Sequence, residues 1–201
     1  MTDLIDYLSR HFLSEAQLLA TAGIDAAILQ DLQARRMAPL PAYRLRLAVH
    51  CDSFFGPHEE AHALRFYATG TPAWLAAVAN LAGEQAAFEL FARRHQARLH
   101  ELAPDAGADV AAAWASFLDG TYGLCTRSGL PEEIAAKEWA AGTIEAIIAQ
   151  GVADAADEHE LTTLRHAVDT LDAASNAFAP HERERSSRRR LVDGMREQYR
   201  L

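Results

Sequence analysis

The sequence predicts an all-α protein: a small three-helix unit, shaped like a helix-turn-helix, packed on a larger helical bundle. Three observations carry that expectation. Alanine dominates an apolar fraction of 50%, while aromatics reach only 8%; alanine has the best helix propensity and little preference for strands. Capping residues and glycine or proline stops recur at helix-length intervals. Apolar residues return every three or four positions along most of the chain, and no stretch reads convincingly as a strand.

The elements follow in order. Thr2 can cap a first short helix carrying Leu4, Ile5, Tyr7 and Leu8. Ser14 with Gln17 makes a capping box, Leu13 with Leu18 the matching hydrophobic staple, and Gly23 the stop of a second helix. Asp25 caps a third, with Ile28, Leu29 and Leu32 on one face, ending before Pro39 and Pro41. Residues 1–40 therefore form the N-terminal unit and residues 41–201 the bundle.

Within the bundle, Tyr43, Leu47 and Cys51 at spacing four predict a helix from residue 41 to about 55. Pro57 suits the first position of another that ends near Gly70. Thr71 and Pro72 open a helix through Trp74, Leu75 and Val78, and Gly83 interrupts before Phe88, Phe91 and Leu99. Val110, Trp114 and Phe117 mark the next. Residues 119–129 hold too much glycine for a helix interior and read as a structured loop. Pro131 starts a helix through Ile134, Glu138, Ile144 and Ile147, and Leu161, Leu164, Val168 and Leu171 form a further apolar stripe. Ser186 or Ser187 can cap a last helix with Leu191, Met195 and Tyr199 facing inward.

Charge narrows the functional classes. The chain carries a formal −9, the wrong sign for a protein whose main task is holding a phosphate backbone. The final segment, residues 181–201, departs from this with seven arginines against four acids. Two distant cysteines are no disulfide framework, the start has no signal-peptide pattern, and no apolar run approaches a membrane span. The expected location is a reducing cytoplasm.

Three segments offer chemistry. His58 and His62, four apart with Glu59 between them, match the spacing of a metal-binding pair on a helix, with Glu59 as a base on metal-bound water. A divalent metal is the cofactor this implies; a solvated helix start, with the glutamates answering the macrodipole, is the plainer account. The loop at 119–129 collects Tyr122, Cys125 and Arg127 as candidate catalytic groups, with Lys137 and Glu138 on the following helix. A nucleophilic Cys125 needs a nearby base or cation; the alternative is a Cys and Tyr that pack an interhelical turn. Arg185, Arg188 and Arg189, with Arg127 and Lys137, are suited to anionic ligands, unless the protein's own carboxylates take them first.

The stretch from Phe12 through Ala22-Gly23-Ile24 to Ile28, Leu29, Leu32 and Pro39 resembles the helix-turn-helix of MerR-type regulators. A recognition helix needs donors near its start, whereas this one begins with Asp25, Ala26 and Ala27, so DNA is not the expected partner. Tyr43-Arg44-Leu45, residues 119–127 with Pro131, Ile134 and Lys137, and residues 187–199 resemble a small bacterial family linked to natural-product biosynthesis. That resemblance implies a protein of small-molecule metabolism that binds or acts on a small anionic molecule or an acidic, carrier-linked one. A ligand-responsive DNA-binding regulator and a non-catalytic interaction protein are the alternatives. A homodimer is compatible with all three, and a membrane partner with none.

Overall fold

A computed structural model describes residues 3–149 and 158–201; Thr2, the first expected cap, lies outside them. The N-terminal helices form where their caps place them. They are α1 (Asp3–His11), α2 (Glu15–Ala22) and α3 (Ala26–Ala34). Ser14 and Gln17 exchange both bonds of a capping box, Gly23 closes α2 in the left-handed conformation, and the Asp25 carboxylate accepts from the Ile28 N–H at 2.8 Å. Between α1 and α2 the chain makes a two-residue strand, β1 (Leu13–Ser14).

The all-α expectation fails at residues 43–67. They form a long antiparallel hairpin, β2 (Tyr43–Ser53) and β3 (Gly56–Tyr67), which joins β1 in a three-stranded sheet of order β1-β3-β2. Both helices expected there are therefore wrong, and the reason is periodic. A repeat of four is common to a helix turn and to two strand alternations. Tyr43, Leu45, Leu47, Val49 and Cys51 in fact alternate with Arg44, Arg46, Ala48, His50 and Asp52, the period-two pattern of a strand. Phe54 and Phe55 make the two-residue turn, and Gly56 takes a φ of 107°, a value open to glycine.

The remaining elements are α4 (Thr71–Val78), α5 (Glu84–Leu102), α6 (Val110–Leu118), α7 (Thr121–Cys125), α8 (Pro131–Ala149), α9 (Glu158–Ala174) and α10 (Gly194–Tyr199). A 3-10 turn at Arg183–Arg185 and a π-turn at Arg189–Asp193 lead into α10. The glycine-rich stretch thus contains a short helix, α7, where the sequence suggested only loop. Gly120 and Gly129 both adopt positive φ, and a Cβ on either would sit within 3 Å of the chain at Pro41 or Ala68. Those close approaches seat α7 against the root of the hairpin.

Three apolar clusters hold the body together. The central one gathers Leu18, Leu29 and Leu32 with Trp74, Phe91, Trp114, Phe117 and Ile134. A second joins Ala140 and Ile144 of α8 to Leu164, Val168 and Leu171 of α9 and to Leu191, Val192 and Met195. The third seats the hairpin root: Tyr43 and Phe66 pack on Tyr7, Leu8 and Phe12, and the Tyr43 hydroxyl donates to Glu182 at 2.6 Å. Beyond that root the hairpin leaves the body, exposed on both faces from Ala48 to its tip.

Candidate functional site: a cleft between α5 and α8

Helices α5 and α8 pack side by side and are fastened at one end by Arg94, which gives Glu132 two hydrogen bonds of 2.6 and 2.9 Å. Farther along they part, and a cleft of about 510 Å³ opens between them and residues 106–112. Its walls are small and apolar: Ala106, Gly107, Ala108, Ala112, Ala135, Gly142 and Ala146, with Leu99 and Trp139 as the large groups. Glycine in the middle of a helix costs about 0.5–1 kcal/mol relative to alanine. At Gly142 no packing demands it, since a Cβ there would meet nothing within 4 Å. What the missing side chain preserves is open space in the cleft.

Asp109, Thr143 and Glu138 are polar groups of the lining, and Glu138 is the one held from behind by two donors. The Tyr122 hydroxyl of α7 makes a very short hydrogen bond to Oε1, and His95 Nε2 lies 2.9 Å from Oε2. Burial first, and then that hydrogen bond, push the Tyr122 phenol well above its ordinary range, so it remains a donor. His95 has no exposed surface and stacks on Phe91 at 5.7 Å. Its Nδ1 is buried without a hydrogen-bond partner among the described residues, an omission that costs on the order of 1–3 kcal/mol. Each oxygen of Glu138 keeps a second lone pair, so the carboxylate can accept one more hydrogen bond on either atom.

Of the candidates read from sequence, Tyr122 alone reaches this cluster, through its bond to Glu138. Cys125 sits three residues farther along α7. Burial lifts its thiol above the ordinary range, and the positive charge of Lys137 only partly offsets this, so the thiol is not activated as a nucleophile requires. Lys137 is buried to 9% exposure and donates to Ser187 Oγ at 3.0 Å. Arg127 is exposed at the surface, and its backbone, with that of Thr126, is tied to the segment after α9.

Four of the seven tail arginines are engaged internally. Arg188 and Arg196 both pair with Asp172, and Arg196 also reaches Asp169 at 2.9 Å. Arg189 pairs with Glu197 and Arg190 with Glu145, at 2.9 and 2.8 Å. Arg185, expected among the ligand-binding arginines, lies exposed in the 3-10 turn ahead of the last helix and so does not share one helix with Arg188 and Arg189.

His58 and His62 also leave their expected setting. They project from strand β3, where residues four apart again share a face, but Glu60 lies between them, 3.0 Å from His62 and 3.7 Å from His58. Glu59 faces the other side and meets His50 at 3.1 Å. All are solvent-exposed, and among the described residues no group of three or more His, Cys, Asp or Glu could hold a metal ion.

Sequence reasoning named Glu138 only as a neighbour of Lys137 and missed His95 and Gly142. The signals were present. His95 interrupts the stripe Phe88, Phe91, Leu99, and Gly142 breaks a long alanine-rich helix. A polar residue on an apolar face and an unneeded glycine are each worth stopping at.

The chain is a predominantly helical protein carrying one antiparallel sheet. It belongs to the family of unknown function DUF6058, which matches it over residues 77–200. The whole cleft lies within the matched region, and the hairpin lies outside it. No curated protein and no solved structure matches the chain. Among the described residues no helix is long and apolar enough to cross a membrane.

Proposed function

We propose that the chain binds a small molecule in the α5–α8 cleft, with its apolar body against Leu99, Trp139 and the alanines and a donor group on Glu138. The observation that carries this reading is Glu138 itself, oriented by Tyr122 and His95 with a lone pair free on each oxygen. Two carboxylates, Glu138 and Asp109, line the cleft, and among the described residues no lysine or arginine does, which favours an ammonium or hydroxyl over an anion. This shifts the expected ligand from the anionic class toward neutral or cationic molecules. A role in small-molecule metabolism, as the resemblance to natural-product proteins implies, is a setting such a site would suit.

A fluorine-detected NMR screen of a small-fragment set, mixed in charge, tests the reading. Expected hits are amines and alcohols on a compact apolar frame, perturbed near Trp139. Replacing Glu138→Gln removes a charge-assisted partner worth about 1.5–3 kcal/mol and should weaken the amines roughly ten- to a hundredfold. Gly142→Leu should abolish binding by filling the cleft. Hits dominated by carboxylates, or hits that survive both substitutions, would end the proposal.

A further inference from the structure

The hairpin raises a separate question, because a two-stranded ribbon in water is marginal by itself. Yet β2 and β3 keep an unbroken ladder to a tip at which Phe54 and Phe55 are 97% and 96% exposed. The two edges of the ribbon are not alike. Pro57, opposite Asp52, stands at the start of β3 and removes a donor there, a common means of blunting an edge. β2 has no proline, and in the order β1-β3-β2 its outer side has no neighbouring strand among the described residues.

Pro57 also fixes which backbone groups face outward. It has no N–H, so Asp52–Pro57 must be a non-hydrogen-bonded pair. Alternation then commits Leu45, Leu47, Val49 and Cys51 to bonds with β3. The N–H and C=O groups of Arg44, Arg46, Ala48, His50 and Asp52 are left pointing away from the ribbon.

We propose that this edge pairs with the same edge of a second copy of the chain, the two β2 strands running antiparallel about a two-fold at Ala48. Only outward-facing residues can exchange ladder bonds, and this register matches them throughout. Ala48 meets Ala48 of the other copy, Arg46 meets His50, and Arg44 meets Asp52. On the other face Leu47 meets Val49 and Leu45 meets Cys51. The charge match is the strongest argument. Arg44 lies opposite another arginine, Arg65, within its own ribbon, and Asp52 lies opposite a proline. Among the described residues neither has an ion-pair partner in its own chain, whereas Arg65 is held by Glu15 at 2.9 Å.

The register also accounts for the tip. The 11 residues of β2 span about 35 Å, so the two bodies stand at opposite ends of the joined ribbons. Each Phe54–Phe55 turn then arrives at the root of the other arm, beside Ala42 and the partly exposed Leu40. Two-fold symmetry makes every contact away from the axis occur twice, which suits an interface built from modest cross-strand pairs.

Sedimentation equilibrium on the full-length chain, from about 1 to 100 μM, tests the proposal, with far-UV circular dichroism to verify folding. The wild type should be dimeric in this range. Arg44→Asp and Asp52→Arg each set like charges opposite one another at two places and should weaken association about tenfold or more. The double variant exchanges the charges and should restore association. Both substitutions are on exposed side chains that, among the described residues, have no ion pair in their own chain. Ala48→Cys in a Cys51→Ser background should crosslink rapidly to itself under mild oxidation, reporting the register without relying on affinity. A monomeric wild type, singles that associate like the wild type, a double that is not rescued, or a folded Ala48→Cys chain that fails to crosslink would each overturn it.

Discussion

Trp74 sits at the centre of the body with no exposed surface, ringed by Phe91, Trp114 and Phe117 at centroid distances of 4.9 to 6.4 Å. Phe54 and Phe55, the other conspicuous aromatics, stand at the end of the arm touching little but each other. Aromatic rings of similar size thus occupy opposite extremes of burial in one chain. In the body, apolar area is removed from water by the fold itself, so stability there belongs to the single chain. In the arm it is not, and any further burial there has to come from outside the single chain. Substitutions in the two regions should separate accordingly, the first set reporting on folding and the second on association.

The largest effect is expected at the centre of that contrast. Trp74→Ala deletes a fully buried indole and leaves the Met37 carbonyl, which accepts from Nε1 at 2.8 Å, without its donor. Loss of a buried Trp typically costs 3–5 kcal/mol, and about 4 kcal/mol is expected here by urea unfolding. Arg94, whose guanidinium lies 5.9 Å from the Trp74 ring centroid, would lose that support as well. A cost below about 1 kcal/mol would mean that the central cluster is not the main source of stability.

An intermediate effect is expected where the arginine tail closes on α9. Burial alone would raise the Asp172 carboxyl, but hydrogen bonds from Arg196 and Arg188 outweigh it and hold the group below the usual carboxylate range. With the folded value depressed, its contribution is full above the unfolded pKa of about 3.9 and is lost as pH falls through the folded value. Asp172→Asn should therefore cost about 1–2 kcal/mol at neutral pH, with the partial exposure of the pair keeping it from being larger. The gap to wild type should close below about pH 4. A cost that stays constant down to pH 3 would assign it to packing and not to charge.

What was legible in the sequence divides along the same line. Caps read correctly where a side chain and a backbone N–H within three residues decide the matter, as at Ser14 and Asp25, because those interactions are local. The arm misread because spacing four cannot separate helix from strand; the charged residues interleaved at 44, 46, 50 and 52 were the deciding text. For the arginines, the reading that the protein's own carboxylates engage them fits Arg188, Arg189, Arg190 and Arg196. Among the described residues no ion pair holds Arg127 or Arg185. The cleft was the least legible part, since Tyr122, His95 and Glu138 come from α7, α5 and α8 and meet only through tertiary packing. A hydrogen bond between residues 43 positions apart leaves no local mark in the sequence beyond a polar residue on an apolar face.

The smallest effect on folding is expected at the arm's tip, and it sharpens the comparison most. Phe54 and Phe55 bury almost nothing in the single chain, so Phe54→Ser with Phe55→Ser should change the unfolding free energy of dilute protein by less than about 0.5 kcal/mol. The same pair should matter more in concentrated protein, because a partner that binds only the folded chain adds stability by mass action. Measured at about 1 μM and again at about 100 μM, the wild-type urea midpoint should rise with concentration, and the variant's should rise less. Equal shifts would show that the tip takes no part in the interface even if β2 does. A variant destabilised by several kcal/mol in dilute protein would instead mean that the rings fold back onto the body, and the division between body and arm would have to be redrawn.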